Sequence, residues 1–112
     1  MKTTYKILIT LVVISSSADA QLVNNGANIY IQNGAYLFYS GTMDNASGTI
    51  TNDGTIEVQG NFSNEGTYTS SASGDHLIMS GAVTSTLKPG GASLTNLTID
   101  KTSGEVELGS DI

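Results

Sequence analysis

The chain of 112 residues contains no cysteine and no tryptophan, with one proline and one histidine. Its four bases are Lys2, Lys6, Lys88 and Lys101, so arginine is absent. Without cysteine, neither a disulfide framework nor a thiolate metal site is open to it. Without arginine, and with a formal charge of −6, the chain is a poor partner for nucleic acid, whose phosphates need cations to displace counterions. The same balance argues against docking on anionic lipid. Charged residues make up only 12%, yet the composition is not that of a disordered chain, because β-branched residues recur in order.

The one long apolar run is Ile7 to Ile14. It follows Lys2 and Lys6 and precedes Ala18-Asp19-Ala20. Eight apolar residues fall far short of the roughly 20 needed to cross a bilayer. A basic start, a short apolar stretch and an A-x-A site are the layout of a secretory signal peptide. The expectation is cleavage between Ala20 and Gln21, export, and no membrane insertion of the mature chain. Residues 21–112 are then one domain.

What fills that domain is a repeat. Gly41, Gly60 and Gly81 each precede, by two residues, an apolar side chain: Met43, Phe62 and Val83. Asn45 and Asn64 recur, followed by Gly48-Thr49 and Gly66-Thr67. Leu37/Tyr39, Ile56/Val58, Leu77/Met79 and Leu97/Ile99 form a column of pairs spaced by 19, 21 and 20 residues. Each pair stands at i and i+2, so both side chains leave a strand on one face. A second column is read through Ile31, Ile50 and Tyr68, with Leu87 as its less secure member. A period of about 20 residues means stacked coils, since one coil cannot bury its apolar face alone. The expected fold is all-β, a parallel β-solenoid of four to five coils, with Ile56, Val58, Leu77, Met79, Leu97 and Ile99 inside. An antiparallel meander would use the same Asn-Gly turns, but gives no reason for a fixed period. Ser70 to Gly74 reads as an insertion of about three residues at one corner.

Two sequence units carry a resemblance. The first is N-x-G-T-I/Y, present as NDGTIEVQGN and NEGTYTS; the second is Ser93 to Leu108, SLTNLTIDKTSGEVEL. Behind a signal peptide, these resemble the N-terminal β-solenoid region of large surface proteins exported by type IX secretion, with filamentous-haemagglutinin-like repeats. The resemblance implies a secreted or bacterial cell-surface, adhesin-like scaffold without an active site. It also implies downstream domains of the same polypeptide as partners. The strand beginning near the end of the chain likewise predicts that these 112 residues are the N-terminal piece of a longer protein.

Chemistry is sparse. No G-x-S-x-G, H-E-x-x-H or metal-spaced His/Cys set occurs, and no catalytic residue, metal or cofactor is expected. Asp53 and Asp75 would stack as paired carboxylates if their corners align, but Asn-Asp-Gly and Gly-Asp are ordinary turn chemistry. His76 aligns with Thr55 and reads as an exposed strand residue. Asn45, Asn61 and Asn96 head N-x-S/T triplets and read as turn residues. Two binding alternatives remain. Tyr30, Tyr36 and Phe38 would offer a stacking platform to a surface glycan. Thr49/Thr51, Thr67/Thr69 and Thr84/Thr86 would offer ice a threonine array.

Overall fold

The computed structural model describes residues 20–70 and 75–109. Everything in that range is strand or turn. The expected signal peptide, apart from Ala20, and residues 71–74 of the insertion lie outside the described residues. Ten strands follow in order: β1 (Gln21–Ile31), β2 (Tyr36–Tyr39), β3 (Thr42–Asn52), β4 (Thr55–Val58), β5 (Phe62–Asn64), β6 (Thr67–Thr69), β7 (His76–Gly81), β8 (Ser85–Lys88), β9 (Leu97–Lys101) and β10 (Val106–Leu108). All pairings are parallel and join strands about one coil apart. The chain is therefore a β-solenoid of about four turns. It is built from two sheets, β1-β3-β5-β8-β10 with β6 on β3, and β2-β4-β7-β9. Because β1 and β3 run long through a corner, each coil has three sides.

The third side is the one the sequence described best. Leu37 pairs with Ile56, Ile56 with Leu77 and Leu77 with Leu97. Tyr39, Val58, Met79 and Ile99 follow in the same register. Ile56, Val58, Leu77 and Met79 are fully buried. Leu97 is half-buried and Ile99 is 54% exposed, against the expectation that both lie inside. They occupy β9, the outermost strand of its sheet, so no neighbouring coil among the described residues covers them.

The other two sides correct the reading. The second side carries Ile29, Ile50 and Tyr68 in register; Ile31 is buried but pairs with Asn52. Register shifts in β1 around Asn25 and Asn28 displace the expected column by two residues. The first side carries Leu22, Met43, Phe62, Leu87 and Leu108. Leu87 thus belongs with Phe62, and Val83 belongs to no column, being 59% exposed. Across the interior, the rings of Phe62 and Tyr68 meet edge to face at 5.8 Å and 86°, a favoured aromatic geometry.

Corner lengths explain the slip at Val83. Three residues, Gln59 to Asn61, separate Val58 from Phe62. Seven, Ser80 to Thr86, separate the equivalent Met79 and Leu87. Gly81 repeats the spacing of Gly60 but not its place. The short corner at Gly60 needs glycine for a different reason: a Cβ there would run into the Gly41 carbonyl. Backbones of successive coils touch there, and only hydrogen fits. Three extra residues also separate Tyr68 from Leu77, relative to Ile50 and Ile56, which is the length expected for the Ser70 to Gly74 insertion.

Inside the first corner runs a polar file. Asn24, Asn45 and Asn64 pair in register two residues after Leu22, Met43 and Phe62, and so face inward. Asn24 Nδ2 donates to Asn45 Oδ1 at 2.8 Å, and Asn45 Nδ2 donates to Asn64 Oδ1 at 2.7 Å. The file ends at each side on backbone: Ala27 N–H donates to Asn24 Oδ1, and Asn64 Nδ2 donates to the Pro89 carbonyl. All three amides are buried. Buried amides are tolerated only when paired, and this one-dimensional ladder pairs them along the stacking axis.

Candidate functional site

The proposed glycan platform is divided between faces. Tyr36 and Phe38 stand on the outward side of β2, 58% and 49% exposed. Tyr30 stands on the outward side of β1, in the other sheet. Its hydroxyl donates to Asp53 Oδ2 at 2.6 Å. That bond, together with the nearby carboxylate charge, raises the Tyr30 pKa above the usual tyrosine value. Two rings side by side on a four-residue strand remain, without the third.

The threonine face is shorter than expected. Thr49 pairs with Thr67 and Thr51 with Thr69, in register on the second side, and the Thr51 and Thr69 hydroxyls lie 3.3 Å apart. Thr86 instead pairs with Glu107 on the first side, and Thr84 precedes β8 there. The reason is again the seven-residue corner, which moves these threonines past the place their spacing suggests. The array has two rungs.

The acidic corner also resolves differently. His76 does pair with Thr55; it is half-buried, with Nε2 against Thr98 Oγ1. Asp75, one residue earlier, therefore stands over Gly54 and not over Asp53, so no carboxylate pair forms. It is buried, with Oδ1 lacking a hydrogen-bond partner among the described residues. Burial raises the Tyr68 pKa above its usual value; the Asn52 bond opposes this and the nearby Asp75 charge adds to it. Asn52 organises this corner: Nδ2 donates to Tyr68 Oη at 3.0 Å and to the His76 carbonyl at 3.2 Å, and Oδ1 accepts from the Gly54 N–H at 3.1 Å. Among the described residues, no three His, Asp or Glu side chains gather as a metal site would require.

Sequence reasoning missed Lys101. Its ammonium donates to the Ser80 carbonyl at 2.6 Å, Ser85 Oγ at 2.7 Å and the Gln59 carbonyl at 3.3 Å. Gln59, Ser80 and Lys101 belong to three successive coils, so one side chain ties the long corners to the short one beneath. Burial pulls the Lys101 pKa below the usual lysine value. The two long corners also stack on each other: Thr102 N–H donates to the Gly81 carbonyl at 2.9 Å, and Ser103 Oγ to that of Ala82 at 2.6 Å.

Where the long corner of the third coil meets the short corners before it, the surface steps. A hollow of about 320 Å³ lies at the step, lined by Ser40, Gly41, Thr42, Gly60, Asn61, Val83 and Thr84. A second hollow of about 170 Å³ shares Thr42 and Asn61 and adds Gln21, Asp44, Ser63, Thr86 and Lys88. Thr86 N–H donates to Asn61 Oδ1 at 2.8 Å, which fixes that amide between the two. Asn61 was legible only as a turn residue and Thr86 only as a member of the threonine array, because the step exists only once corner lengths are compared.

Fold and surface together define a parallel β-solenoid of about four turns. No family model matches the chain, and no curated protein or solved structure is detectably similar to it.

Proposed function

We propose that this chain is an exported, non-catalytic β-solenoid module of a bacterial cell surface, adhesive or architectural in role, of the kind that type IX secretion delivers. The observation that carries the reading is the pairing of a secretory-type N-terminus with a rigid parallel stack. Its outer faces offer hydroxyls and amides, and two of its acids are engaged within the fold: Asp53 with Tyr30, Asp75 in the interior. A solenoid gives an extended surface at low cost in chain length, which suits display and contact at a cell boundary. Fractionation of the producing cell, followed by N-terminal sequencing, tests this. The chain should be recovered outside the inner membrane with Gln21 as its first residue. Recovery from the cytosol with Met1 retained refutes export.

A further inference from the structure

We propose that the step between the short-cornered and long-cornered coils binds a neutral saccharide. The larger hollow, at about 320 Å³, reaches the lower end of the range for small-ligand pockets. Its floor is backbone, because Gly41 and Gly60 carry no side chain. Its walls offer three hydroxyls, Ser40, Thr42 and Thr84, and the Asn61 amide. With Oδ1 taken by the Thr86 N–H, the Asn61 NH2 group is left as a two-proton donor to a ligand. Val83, 59% exposed at the lip, supplies an apolar surface for the C–H face of a sugar ring. The adjoining hollow continues the site with the carboxylate of Asp44, which can accept from paired ring hydroxyls, and with the Lys88 ammonium as a donor.

The balance of groups selects the ligand class. Donors and acceptors are mixed and mostly neutral, the adjoining hollow holds one acid and one base, and the chain as a whole carries −6. That net charge repels polyanions. A lone carboxylate in a hollow that also holds a lysine is no cation site. What matches hydroxyls and amides one for one is a polyhydroxylated neutral molecule. The inference rests on the proposed surface role only for where such a saccharide would be met; binding itself is a property of the isolated chain.

The test is a titration of the purified full chain with cellohexaose, mannohexaose, maltohexaose and chitohexaose, read by amide chemical shifts. At least one should perturb the Asn61 side-chain amide and the backbone amides of Thr42 and Thr84, with dissociation constants in the micromolar to millimolar range. Asn61→Ala should weaken that binding about tenfold or more, the equivalent of one lost hydrogen bond. Thr84→Val, which keeps side-chain volume, should weaken it too and guards against a folding defect in the first variant. Tyr36→Ala should leave it unchanged. No response to any of the four sugars overturns the proposal, as does binding that survives Asn61→Ala and Thr84→Val but is lost in Tyr36→Ala. Neither result bears on whether the chain is exported.

Discussion

The first two coils and the two that follow solve the same packing problem differently. After each of the first two, a three-residue corner (Ser40 to Thr42, Gln59 to Asn61) keeps successive backbones close, and the Asn24–Asn45–Asn64 file ties them to the third coil from within. In the later two, the corners are longer, Ser80 to Thr86 and Asp100 to Glu107. The asparagine file stops at the Pro89 carbonyl, and a lysine takes over as the internal tie. Regular coils can be held by a repeated neutral side chain, because every rung presents the same partner. An irregular corner leaves unmatched carbonyls, and a long cationic side chain that reaches several of them satisfies what repetition cannot.

That comparison is breakable. The largest effect should come from the columns both regions share. Val58→Asp places an unpaired charge at a fully buried position and should cost about 4 kcal/mol or abolish folding. Glu57→Lys, one residue earlier and facing out, should shift stability by less than about 0.5 kcal/mol. Urea melts that treat the two alike would show the register to be wrong.

Next comes the ladder. Asn45→Ala removes the middle rung and leaves Asn24 Nδ2 short of one acceptor and Asn64 Oδ1 without its donor. A loss of about 2–4 kcal/mol is expected, because buried polar groups are stranded on both sides. Hydrogen exchange should rise first in β1, β3 and β5, with β7 and β9 less affected. Uniform loss of protection would mean that the two regions are not distinct.

The smallest effect belongs to the lysine tie. Lys101→Met should cost about 1 kcal/mol, since Gln59 O keeps its bond from Ser85 Oγ. Its pH signature is more telling. The Lys101 pKa is lowered in the fold by burial, so between the folded and unfolded values the unfolded chain holds the extra proton. Stability from this group therefore rises with pH through that window. The rise should vanish in Lys101→Met. A variant that keeps the wild-type slope would place the titration elsewhere.

Much of the fold was legible because a solenoid writes its period into the sequence. On the third side, around Ile56, Val58, Leu77 and Met79, the column read from spacing is the column found, because gains and losses elsewhere in each coil nearly cancel. It failed at Val83 and at Leu87, since glycine recurs at both kinds of corner and marks a turn without marking its length. It failed at Ile31 because two residues of slack in β1 carry no compositional sign. Asn45 and Asn64 were visible as a recurrence, and Asn45 was read as a turn. Their position two residues after Met43 and Phe62, on the inward parity of a strand, was the signal that placed them inside.

The sequence by itself determined the strand class, the stacking period and the third-side core, because these follow from local alternation repeated at a fixed interval. Only the tertiary structure decided which asparagines pair, what Lys101 holds, that Asp75 misses Asp53, and where the surface steps. Each of those depends on register between coils, and register is set by how long every intervening corner is. A change of a few residues there moves a side chain to a different rung, while the chain on either side keeps the same pattern.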